Sequence, residues 1–177
     1  MSLLPDVVTG EIGLLIGPHA EREMMLELTA VLAVRGPVQV VDGGNRFDAF
    51  RVARLIRRRS HRLDDALNQI QVARAFTCYQ VVTLLAETAV SPAPHLIFDL
   101  LATFDDDSVS VAECYRLLRI VVTHLQRLRR QAPVIVSIRS PRQPVRAGLV
   151  KLVMDVADHL FIHESPPGDD RQMRLFD

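Results

Sequence analysis

A chain of 177 residues, 49% of them apolar, is long enough for one domain with a sizeable core and too short for several. Basic and acidic side chains number 21 each, so the formal net charge is zero; no global field draws in nucleic acid or membrane, and any such role must fall to local clusters. Cys78 and Cys114 make no C-x-x-C pair, the amino terminus lacks a basic-then-apolar leader, and no uncharged run reaches the ~18–20 residues a bilayer demands. A disulfide framework, a zinc site and a membrane protein are therefore set aside, and a reducing, cytoplasmic setting is expected.

In chain order, IGLLIG (12–17) is short, apolar and bounded by glycines, which predicts a buried strand. A helix is expected over 19–35, with Met24, Met25, Leu28, Val31 and Leu32 at helical spacing, ended by RGP (35–37). VQVVDGG (38–44) reads as a strand closing on a glycine turn. A helix over 47–59 would bury Phe47, Phe50, Ala53 and Ile56 on one face and carry Arg51, Arg54 and Arg58 on another. QIQVARA (69–75) alternates as a strand, 78–89 is helical, and SPAP (91–94) stops it. HLIFDLL (95–101) is another buried strand, followed by the acidic loop FDDDS (104–108) and a long helix over 110–131. PVIVSIRS (133–140) is a strand, PRQPVR (141–146) a loop, and about 147–156 a helix. HLFIHE (159–164), the turn SPPGDD and RQMRLFD read as a closing hairpin. Alternating strands and helices predict a single α/β domain over 1–177, with 1–10 as an extension, a largely parallel sheet and an antiparallel C-terminal edge.

Several stretches together resemble the ATPase core of the RecA/RadA recombinase superfamily, over about residues 11–177. GPHAEREMML (17–26) aligns without gaps on that family's phosphate loop, G-P-E-S-S-G-K-T-T-L. VVDGGNRFDAFRV is similar to I-D-T-E-G-T-F-R-P-E-R-L, with Asp42, Phe47 and Arg51 coinciding, and LNQIQVARAFTCYQ is similar to L-D-N-I-x-x-A-R-A-F-N-T-D-H-Q. HLIFDLL occupies the Walker B position with Asp99 as its acid, PVIVSIRS resembles the following sensor strand, and the last stretch resembles the terminal hairpin. The resemblance implies a three-layer αβα RecA-like P-loop fold.

The chemistry of that site is missing. A P-loop needs glycines that let amides face the phosphates, a lysine to neutralise them and a hydroxyl for Mg²⁺. After Gly17, the second glycine position is Arg22, the lysine position Glu23 and the hydroxyl position Met24. A carboxylate at Glu23 repels triphosphate, and a thioether is no ligand for a hard cation. Glu21 and Glu23 instead suit a helix's first turn, by roughly 0.3–1 kcal/mol each. The resemblance places a water-activating glutamate where Gly44 stands, and Gly44 cannot act as a base. Arg139 stands where polar amides are usual. The expectation is a pseudo-ATPase, with no catalytic residue, no metal and no tightly bound ATP or Mg²⁺, and with Asp99 either vestigial or simply a satisfied polar group at a strand end.

Four cations, Arg139, Arg142, Arg146 and Lys151, follow the sensor strand, where the resemblance implies a loop contacting single-stranded DNA. This loop holds no aromatic residue for stacking. RVARLIRRRSHR (51–62) is a second basic run, read as a solvated helix face or a surface for an acidic partner. The run of Asp105, Asp106 and Asp107 reads as a solvated loop, because consecutive residues seldom converge on one ion. QMRLF (172–176) resembles the peptide with which bacterial repair proteins grip a sliding clamp, with Leu175 and Phe176 filling a pocket and Gln172 bonding at its rim; the competing reading is the hairpin's last strand. The function expected is a non-catalytic, RecA-like accessory protein of DNA recombination or repair that binds DNA or a recombinase-like partner. The alternatives are a scaffold or regulator without a nucleic-acid role, and an atypical nucleotide-binding ATPase.

Overall fold

A computed structural model describes residues 8–163. Its centre is a six-stranded sheet in the order β3-β2-β4-β5-β1-β6, from β1 (Ile12–Ile16), β2 (Val38–Asp42), β3 (Ile70–Arg74), β4 (His95–Phe98), β5 (Val134–Ile138) and β6 (His159–Ile162). Every described pairing is parallel. The predicted antiparallel edge is therefore not seen: HLFI joins the sheet parallel to β1, with Leu14 beside Leu160. The hairpin's second strand, and with it Gln172, Leu175 and Phe176, lies outside the described residues.

The central strands β1, β2, β4 and β5 are covered on both faces, which explains their nearly unbroken apolar runs, whereas the edge strands β3 and β6 are more exposed. Successive residues still part company. Leu15, Val40, Leu96 and Ile135 enter one core, and Leu14, Val41, Ile97 and Val136 enter the other. On the first face lie α1 (Arg22–Arg35), α2 (Ala49–Arg57) and α3 (Leu63–Asn68). On the second lie α4 (Cys78–Glu87), α5 (Val111–Leu128) and α6 (Gly148–Met154). The result is an α/β/α sandwich, and no described helix is long and apolar enough to cross a membrane.

Local chemistry sets the helix starts. Asp48, Thr77 and Ser110 cap α2, α4 and α5 by accepting from the amides of Arg51, Gln80 and Glu113. The α5 stripe of Cys114, Leu117, Leu118, Val121, Leu125 and Leu128 is fully apolar and buried. The Asp48 cap also corrects the expected second helix. It begins at Ala49, after Phe47, and buries Val52, Leu55 and Ile56. Phe47 is buried from the preceding loop, edge-on to Phe98 at 5.9 Å, whereas Phe50 points outward and is 86% exposed. The short helix α3 was not expected, since no side chain caps it.

Candidate functional site

Because the sheet is parallel, the loops after β1, β2, β4 and β5 all leave one rim, the usual place for ligands in such folds. β5 lies between β1 and β4, so Gly17, Arg139 and Asp99 become neighbours there. The rim carries two clefts. One, of about 470 Å³, is lined by Gly44, Phe76, Thr103, Asp106 and Arg142 among others. The other, of about 420 Å³, lies between Gly17–Pro18, Arg139–Arg142 and Ile162–His163.

The β1–α1 loop is closed on itself. The amide of Gly17 donates to Ile138 O at 3.2 Å, that of Ala20 to Gly17 O at 3.0 Å and that of Arg22 to His19 O at 3.3 Å. Ala20 and Glu21 both have left-handed backbones, with φ of 51° and 45°. This turn folds the Glu21 side chain back over Gly17. A Cβ placed on Gly17 would meet Glu21 Oε1 and lie 2.9 Å from its Cδ. His163 Nδ1 stands 3.7 Å from the other carboxylate oxygen. An anion of the protein's own thus fills the space over the first glycine, and three amides of the loop are already engaged.

This reassigns the residues read from the sequence. The carboxylate in the loop belongs to Glu21, not Glu23. Glu23 faces α2, paired with Arg22 Nη1 at 2.9 Å and Arg51 Nε at 3.0 Å. Arg22 turns the same way, onto Arg46 O and Asp48 at 3.0 Å each, and does not replace a phosphate-loop lysine. Met24 borders an apolar hollow with Leu15, Phe161 and Ile162. The residues present do not fit a Mg²⁺-nucleotide.

Asp99 is fully buried at the end of β4, with a left-handed backbone (φ 47°). Its Oδ2 takes Arg46 Nε and Arg139 Nε, each at 3.2 Å, its amide donates to Ser137 Oγ at 3.0 Å, and its Oδ1 has no partner. Burial raises its pKa above the ordinary carboxylate value, outweighing Arg139 and then Arg46. Gly44 packs against this side chain so closely that an added Cβ would lie 2.5 Å from Asp99 Cβ. The rim therefore has no room for a glutamate at that position. Asp42 is equally committed, accepting from the amides of Arg46 and Phe47 at 2.9 Å.

The four cations expected to contact DNA do not form one surface. Arg139 is spent on Asp99. Arg142 is mostly exposed but anchored, its Nε 2.8 Å from Asp105 Oδ2. Burial would raise the Asp105 pKa, yet the Arg142 side-chain and backbone hydrogen bonds together hold it below the usual range. Arg146 is only 2% exposed, and its guanidinium donates to Phe104 O (2.6 Å), Val109 O (2.7 Å) and Cys114 Sγ (2.9 Å). It is an internal brace, a correction to its reading as a phosphate contact. Lys151 pairs with Asp155 one turn along α6. The reading of residues 105–107 as a solvated loop also needs correction, because Asp105 is buried. Sequence reasoning missed Arg46 and Ser137 as Asp99 partners; the only signal was their proximity to strand ends.

Among the described residues, no group of three or more His, Cys, Asp or Glu is placed to hold a metal. No protein-family model matches the chain, and no curated protein is significantly similar to it.

Proposed function

We propose that the chain is a non-catalytic RecA-like domain, an accessory protein of DNA recombination or repair that works in the cytoplasm by binding DNA or a recombinase-like partner. The process rests on the sequence resemblance. The non-catalytic part rests on one observation: Glu21 folded over Gly17, with the Gly17 amide given to β5 and the Ala20 and Arg22 amides to carbonyls of the loop itself. A phosphate group brought there would meet a carboxylate instead of donors. Arg22 and Glu23 neutralise each other at the loop's outer side, and Gly44 leaves no base over the rim.

A specific observation favours a second reading, a scaffold or regulator without a nucleic-acid role. Arg139 and Arg146 are consumed inside the fold, which weakens the DNA loop that the resemblance implies. Thermal shift separates these readings. Mg-ATP at a hundredfold excess over a dissociation constant would add about 2.7 kcal/mol of stability, and no shift is expected. A clear shift overturns the pseudo-ATPase reading. Stabilisation by short single-stranded DNA that fades as salt rises supports the DNA-binding arm. Its absence leaves the scaffold.

A further inference from the structure

We propose that the outward face of α2 is a binding surface for single-stranded nucleic acid, with Phe50 as its stacking platform and Arg54, Arg57 and Arg58 as its phosphate contacts. The proposal rests on the DNA-binding arm of the reading above and moves that arm away from the loop after β5.

The geometry follows from the cap. With Asp48 fixing the start of α2 and Val52, Leu55 and Ile56 turned to the core, Phe50, Arg54 and Arg57 fall at i, i+4 and i+7 on the opposite side. They form one stripe about 10 Å long at 1.5 Å per residue, with Arg58 beside it. Phe50 is 86% exposed, more than any other large apolar side chain of the described fold. A ring so exposed contributes nothing to the core, and the sequence pattern had assigned it there.

The charge on this face is unbalanced. The neighbouring acids are engaged elsewhere: Glu23 with Arg22 and Arg51, Asp48 with Arg22 and the Arg51 amide, Glu27 with Arg59 and Asp65 with Arg62. Arg54 and Arg57 lie in the helix's last turn and complement its dipole, which accounts for positive charge there but not for the outward ring. Among the described residues, Arg54, Arg57 and Arg58 enter no ion pair or side-chain hydrogen bond. Three free guanidinium groups beside a free aromatic ring combine a backbone-tracking charge with a base-stacking surface. A second ring, Phe76, is 71% exposed at the carboxyl end of β3, next to β2 in the sheet. An acidic peptide would use the same charges. It would also want an apolar pocket, and a convex helix with a lone ring offers none.

The test is fluorescence anisotropy of a labelled oligothymidylate of about 16 nucleotides, on the full chain, across a salt series. Three phosphate contacts predict a slope of log K against log salt of about −2, falling to about −0.7 in an Arg54→Gln/Arg57→Gln variant. Phe50→Ala weakens binding about fivefold to a hundredfold, and Phe50→Tyr largely preserves it. All these side chains are exposed, so unchanged melting temperatures check that the variants fold. If affinity instead follows Arg142→Gln and Lys151→Gln and ignores Phe50, the placement on α2 is overturned while the DNA-binding reading survives. If the wild type ignores the oligonucleotide, both fail; poly-glutamate bound through the same arginines would then assign the face to an acidic protein.

Discussion

Two groups of arginines look alike in sequence and differ in the fold. Those after β5 are held by the protein's own acceptors: Arg139 by a buried carboxylate, the exposed Arg142 by Asp105, Arg146 by two backbone carbonyls and a thiol. Those on the outer side of α2 turn outward and meet no acceptor among the described residues. The difference lies in what surrounds each loop. The rim has buried acceptors left over by strand ends and tight turns, and arginine, with five donors on a long stem, can satisfy several at once. The outer face of α2 has only side chains, and its acids are already taken. A run of cations therefore says little about a binding surface until the acceptors within reach are counted.

The sharpest way to break this contrast is Arg146→Ala. Losing a buried guanidinium leaves Phe104 O and Val109 O without their donor, at an expected cost of about 3–5 kcal/mol in chemical denaturation. Arg146→Met, which keeps the stem, should recover only a minor part. A change within about 0.5 kcal/mol would mean that Arg146 is a surface residue after all.

Next comes the packing of the rim itself. Gly44→Ala pushes a methyl group into Asp99 and should destabilise by roughly 1–3 kcal/mol. The effect should shrink in an Asp99→Gly background, because the clash is with that side chain. Equal losses in both backgrounds would show that Gly44 is needed for some other reason.

Arg142→Ala should cost less, about 1–2 kcal/mol at neutral pH, since the arginine is exposed although its partner is not. The pH dependence carries the diagnosis. The folded-state pKa of Asp105 is depressed, so its contribution is present above the ordinary value of 3.8 and is lost as pH falls through the lower folded value. Arg142→Ala removes the guanidinium but keeps the amides of residues 142 and 143 on the carboxylate, so burial is less fully opposed and the folded-state pKa rises from its depressed value. The acid-side loss of stability attributable to Asp105 should then shrink, as judged by melting temperature between neutral and strongly acidic pH.

Much of the fold was legible because its signals are local. Four buried parallel strands, β1, β2, β4 and β5, are largely apolar runs, and Asp48, Thr77 and Ser110 announce their helices. The face of α2 was misread because Phe47, Phe50, Ala53 and Ile56 satisfy a three-residue spacing that the cap then shifts out of the helix. The first strand of the expected hairpin joins the sheet parallel to β1, because pairing depends on which strand has a free edge, and the second strand lies outside the described residues. At the rim, the absence of a lysine, a hydroxyl and a glutamate at the positions the resemblance implies is legible in the sequence. That Glu21 and not Glu23 fills the loop is not, because it depends on two left-handed residues that the sequence Ala20–Glu21 does not advertise.

The smallest expected effect closes the comparison. Arg54→Ala should change folding stability by no more than about 0.5 kcal/mol, because its side chain has no partner to lose and alanine is the better helix former. Arg57→Ala should behave similarly, since both cations lie in the last helical turn and complement the dipole alike. Both effects should shrink further as salt rises, because exposed charges are screened. Set against Arg146, these values bound the difference between an arginine that holds the fold and one that the fold merely displays. A loss above about 1 kcal/mol at Arg54 would reveal an acceptor on the α2 face and weaken the assignment of that face to an external ligand.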